Sequence, residues 1–137
     1  MSKLEELIAE LEKAAGPSRD FDWRIAQITN LPEVWPETAF WPPFMAGSKF
    51  DKAIPLFTAS IDAAVALVER MLPDWRIENL CEWDHERLRE RGPWMCDLVE
   101  RGKDCLTGKS AKCAHAPTPA MALSIAALKA KLSQMEA

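Results

Sequence analysis

The chain has no tyrosine, only two histidines and only five glycines in 137 residues. So little glycine leaves scant material for a phosphate-cradling loop, and neither a G-x-x-x-x-G-K-S/T run nor a G-x-G-x-x-G run is present. A G-x-S-x-G nucleophile elbow and an H-E-x-x-H zinc helix are missing as well. No familiar catalytic motif is left. A basic excess is also lacking: 17 Lys+Arg stand against 21 Asp+Glu, a net charge of −4, which argues against a dedicated duplex nucleic-acid binder. No window is apolar and uncharged over the length of a transmembrane helix, so no membrane partner is expected. Met1-Ser2-Lys3-Leu4-Glu5-Glu6 places acid where a secretory signal needs a basic end and an apolar run. A cytoplasmic protein with reduced thiols is therefore expected, and Cys81, Cys96, Cys105 and Cys113 are read as thiols rather than a disulfide framework.

What is present suits one folded domain spanning 1–137. An apolar share of 48% beside a charged share of 28% is globular, and the length suffices for a real core. That core is organised around the last helix, Thr118 to Lys131. Thr118 is a good N-cap and Pro119 fits the first helical position. Met121, Ile125, Leu128 and Leu132 then form a stripe, with Ala122, Ala126 and Ala130 as a flat flank. So apolar a helix must be mostly buried.

Residues 1–30 read as a helical hairpin. Leu4, Leu7, Ile8 and Leu11 line one face of the first helix; Gly16-Pro17 stops it. Ser18 caps the second, Asp20 and Asp22 occupy its first turn, and Phe21, Ile25 and Ile28 form its apolar face. Residues 31–57 form a Pro/Trp-rich ordered loop, because proline at that density forbids regular elements while Trp35, Phe40, Trp41 and Phe44 would be wasted on a solvated linker. Those four aromatics are a candidate interaction surface, and they imply a homo-oligomer or a bound partner.

Residues 58–137 read as an α-β-β-β-α core. A helix capped by Thr58 or Ser60 turns Ile61, Val65, Val68 and Leu72 inward. Trp75, Ile77, Asn79, Cys81 and Trp83 alternate with Arg76, Glu78, Leu80 and Glu82 as a half-buried strand. A second strand alternates Trp94, Cys96 and Leu98 with Met95, Asp97 and Val99, and Ala111 to Ala116 suggests a third. Short connections make the sheet antiparallel, and the fold class is α+β.

Three stretches resemble a group of small bacteriophage and prophage proteins, those with the phage ABA sandwich domain. They are Gly16-Pro17-Ser18-Arg19-Asp20-Phe21-Asp22 with Ile25-Ala26, then Phe57-Thr58-Ala59-Ser60-Ile61-Asp62-Ala63-Ala64, then Thr118-Pro119-Ala120-Met121-Ala122-Leu123 with Ala126-Ala127-Leu128-Lys129-Ala130. The ordered trio spans most of the chain. Phe21 stands where leucine is expected. The resemblance implies phage origin and a small α/β domain, and it brings no catalytic residues with it.

Three constellations remain. Around the connection from Trp83 to Trp94, Arg87, Arg89 and Arg91 lie between two indoles, with Arg101, Lys103 and Lys109 from the next loop. Guanidinium forks suit phosphate and an indole can stack on a base, although Glu82, Asp84, Glu86 and Glu90 interleave with the arginines. A metal site would draw on Cys81, His85, Cys113 and His115, with Cys96 and Cys105 as further thiols, yet close zinc-type pairs are scarce and buried thiols are the plainer reading. Cys113 and His115 share a strand face as a conceivable nucleophile and base, at a separation too long for an ideal hydrogen bond. The double-stranded RNA-binding domain has the same α-β-β-β-α order but places lysines at the start of its last helix. Here that turn is Pro119-Ala120-Met121-Ala122, so no duplex is expected.

The expectation is thus a phage-encoded, non-enzymatic binding protein without a cofactor, working in the host cytoplasm. It would sequester a small anionic ligand or nucleotide, or antagonise a host defence protein. The alternatives are a protein–protein interaction module using the Pro/Trp segment, and a zinc- or thiol-dependent enzyme.

Overall fold

In this computed structural model the described residues are 2–29, 55–82, 92–102 and 111–136. They form α1 (Lys3–Lys13), α2 (Arg19–Ile28), α3 (Ile61–Met71), β1 (Trp75–Glu82), β2 (Trp94–Glu100), β3 (Ala111–Ala116) and α4 (Pro119–Glu136). The strands make one antiparallel sheet in the order β1-β2-β3, as the α+β reading requires.

Each helix begins where its capping chemistry dictates. Ser2 Oγ accepts the Glu5 N–H at 3.2 Å, Ser18 Oγ accepts that of Asp20 at 3.1 Å, and Thr118 Oγ1 accepts that of Met121 at 3.2 Å. For α3 the cap is Ser60, whose Oγ accepts the Ala63 N–H. Thr58 lies two residues earlier and has another task, described below. Helix α1 buries Leu4, Leu7, Ile8 and Leu11, the stripe its spacing predicts. Helix α3 departs from expectation: Ile61 is exposed, while Ala64, Leu67, Val68 and Met71 are buried. Ser60 caps the helix with Ile61 as its first residue, at the exposed end of the element.

Helix α4 is the centre of the molecule. Every residue from Ala120 to Leu128 is buried, well beyond the single stripe of Met121, Ile125, Leu128 and Leu132. The reason is enclosure on several sides: β2 and β3 lie under it, α3 along one flank, and α1 also packs on it. Alanine at Ala122, Ala126, Ala127 and Ala130 allows that close approach, and a helix apolar all round is one buried all round. Leu132 is only half-buried.

The sheet turns Cys96, Leu98, Ala114 and Ala116 toward α3 and α4 in a single core. In β1 the alternation breaks. The register slips between Ile77 and Asn79, so Ile77 faces Leu98 but Leu80, not Asn79, faces the core residue Cys96. This bulge corrects the expected strand: Leu80 joins the core, and Asn79 and Cys81 turn to the opposite, open face. Lys129 reaches from α4 to the edge strand, where its Nζ donates to the Cys113 carbonyl at 3.1 Å. A lysine over a strand edge discourages further pairing there. Among the described residues, no helix is long and apolar enough to cross a membrane.

Candidate functional site

Two of the three stretches that resemble the phage group meet in one buried polar knot, which Ser124 of α4 joins. Asp22, in the first turn of α2, is 1% exposed. Its Oδ1 accepts the Thr58 N–H at 2.9 Å and the Thr58 hydroxyl at 2.8 Å, while its Oδ2 accepts Arg19 Nη1 at 2.9 Å. Thr58 Oγ1 in turn accepts the Ser18 N–H at 3.1 Å. Next to Thr58, the Phe57 carbonyl accepts the Ser124 hydroxyl at 2.8 Å, from the middle of α4. One carboxylate, two hydroxyls and a guanidinium thus tie the start of α2 to the approach to α3 and to α4. Burial of such groups is tolerable only because they satisfy one another. A cavity of about 150 Å³ adjoins the knot, lined by Pro17, Arg19, Leu56 and Ala59 among others.

In the sequence alone, Asp22 has the place of a helix-dipole acid and Thr58 that of a possible cap. Both residue types are routine in a helix's first turn, so neither spacing nor composition distinguishes this pair. The signal that was legible was their membership in two of the three stretches.

A second site lies between α1, α4 and the edge strand β3. Two cavities of about 340 and 330 Å³ open there, and both are lined by Glu12 and Lys129. Ile8, Leu132 and Lys112 belong to the first; Cys113, Ala114 and His115 belong to the second. Lys129 Nζ stands 3.6 Å from Glu12 Oε2, so the cleft has an ion pair at its centre. Each cavity has small-molecule size; the first has an apolar wall from Ile8, Ala9 and Leu132, and the second is mostly polar.

Cys113 Sγ lies 3.8 Å from His115 Nε2, a sulfur–nitrogen contact closer than ideal i, i+2 spacing allows. The thiol is exposed on the open face and the imidazole half-buried. The thiols differ sharply in environment. Cys96 faces the core, where burial above all pushes its pKa up to about 12, helped by the neighbouring charge of Asp97. Cys81 is exposed on the far strand of the same open face.

The arginine-rich candidates are only partly within the described residues. Trp83, Arg87, Arg89, Arg91 and Lys103 lie outside them, as do Trp35, Phe40, Trp41, Phe44, His85, Cys105 and Lys109. Trp94 is half-buried at the start of β2, whereas Arg101 follows the opposite end of that strand. Arg101 Nε donates to the Pro73 carbonyl at 3.1 Å and its N–H to that of Asp74 at 2.7 Å, fastening the turn between α3 and β1. The structure therefore separates Trp94 and Arg101 by the length of a strand. Of the metal candidates, Cys113 and His115 are brought together and Cys81 is two strands away; among the described residues, no group of three or more His, Cys, Asp or Glu side chains is arranged to hold a metal ion.

No family model, curated protein or solved structure matches the chain. Fold and site geometry define the class, a small α+β domain with one helix buried against an antiparallel sheet.

Proposed function

We propose that the chain is a phage-encoded binding protein that takes up a small anionic ligand, of nucleotide class, inside the host cytoplasm. The observation that carries the binding reading is the pair of adjoining cavities between α1, α4 and β3, together of small-molecule size, with Lys112 and Lys129 at the wall. Lys129 is held by Glu12, and an anion entering the cleft exchanges that carboxylate for its own charge. The phage assignment is supported by the resemblance, two of whose stretches are joined by the Asp22–Thr58 hydrogen bond. Sequestering such a ligand from a host defence pathway is one use for a protein of this kind.

Isothermal titration with mono-, di- and cyclic nucleotides tests the reading. Binding is expected to weaken with salt and to fall in a Lys112→Ala/Lys129→Met variant. If Arg87→Ala/Arg89→Ala removes it instead, the ligand sits at the connection between Trp83 and Trp94. Silence across the panel removes the anion reading and leaves a protein partner, or a second copy, on Trp35, Phe40, Trp41 and Phe44 as the function to pursue.

A further inference from the structure

We propose that Cys113 is a nucleophilic thiol, with His115 as its base, that undergoes exchange with small organic disulfides entering the cleft beside β3. The inference shares that cleft with the binding reading but does not rest on it. Three observations carry it. The sulfur and the imidazole Nε2 are 3.8 Å apart, within reach for proton transfer as the pair closes. Both residues line a cavity of about 330 Å³, which gives a reagent somewhere to sit. The thiol is exposed, so access needs no unfolding.

The exchange balances without any further reagent. His115 Nε2 takes the Sγ proton, and the thiolate attacks one sulfur of the disulfide. A bond forms between Cys113 Sγ and that sulfur as the old sulfur–sulfur bond breaks. The departing thiolate takes the proton back from the imidazolium. Cys113 ends oxidised as a mixed disulfide and the other half of the reagent leaves reduced, as a thiol.

The charges around the pair act in both directions. Asp97 of β2 is the register partner of Cys113 and brings a carboxylate to the neighbouring strand. Lys129 of α4 donates to the Cys113 carbonyl and so brings positive charge to the same strand, offset by Glu12 of α1. Cys81 supplies an internal comparison. It is exposed on the same open face, and the residue two positions on is a tryptophan.

The test uses the full chain with dithiobis(nitrobenzoate) in excess, following the released nitrothiobenzoate by absorbance and the modified cysteine by peptide mass. Cys113 is expected to react about tenfold faster than Cys81 near neutral pH, the advantage shrinking in acid as His115 becomes protonated. His115→Gln should erase that advantage while leaving Cys81 unchanged. The wild-type comparison of the two thiols needs no variant, so it decides the matter even if His115→Gln folds poorly. Equal rates at Cys113 and Cys81, or an undiminished Cys113 rate in a folded His115→Gln protein, overturns the proposal.

Discussion

At the scale of single residues, Asp22 concentrates the most consequence. Its carboxylate is buried and accepts from a backbone N–H, a hydroxyl and a guanidinium. Asp22→Ala would strand those donors, and urea unfolding is expected to show a loss of about 3 kcal/mol. Thr58→Val removes only the hydroxyl and keeps the backbone donor, so a smaller loss of about 1 kcal/mol is expected. The double variant should lose less than the sum, because the two changes delete one shared contact. A loss at Asp22 of only a few tenths would mean that the knot contributes little. Glycine offers a matched pair. Gly92 and Gly102 both have positive φ, at 103° and 84°. A Cβ at Gly92 would stand 2.2 Å from the Ala116 carbonyl carbon, whereas at Gly102 nothing lies within 4 Å. Gly102→Ala is expected to cost about 1 kcal/mol through backbone conformation alone, and Gly92→Ala clearly more, because the end of β3 must move. Equal midpoints for the two variants would contradict this packing.

At the scale of elements, α1 and α2 are joined on their outer side by Arg24 and Glu10. The Arg24 guanidinium, hydrogen-bonded to Glu10, holds that carboxyl below its ordinary 4.5. A depressed carboxylate pKa stabilises the folded state above the ordinary value, and that contribution disappears as pH falls through the lowered one. Wild type should therefore melt slightly above Glu10→Gln at neutral pH, with the gap closing only in acid below the ordinary carboxylate range. Glu10 is exposed to solvent, which keeps the gap small. Thermal melts across that range check it; a gap independent of pH would assign the effect to something other than charge.

At the scale of the whole molecule, stability centres on α4 because α1, α3 and the three strands meet there. Leu128 is fully buried, so Leu128→Asp places an unpaired charge in the core and should cost several kcal/mol, roughly 4 or more. A variant melting within a couple of degrees of wild type would displace α4 from that role. Chelation is expected to leave the melting temperature unchanged, since among the described residues no ligand cluster is arranged for a metal. A large drop with EDTA would restore the zinc reading of the cysteines.

The elements themselves were legible in the chain, for local reasons. Caps at Ser18, Ser60 and Thr118, the stripe from Leu4 to Leu11 and the alternation of Trp94, Cys96 and Leu98 are all short-range physics, and they place α1, α2, α3, β2 and α4. Three things only the tertiary structure decided. The bulge near Glu78 depends on how β1 meets β2, and it sends Leu80 inward and Cys81 outward against the strand's own alternation. The burial of α4 on every side depends on α1, β2, β3 and α3 arriving together, which a one-face stripe does not announce. Asp22 and Thr58 are 36 residues apart in the chain, as are no two groups that a cap or a period can relate. A hydrogen bond across that span exists only once the core has brought α2 and the approach to α3 within 3 Å of each other, which is why a residue that looked like an ordinary first-turn acid is a buried tie.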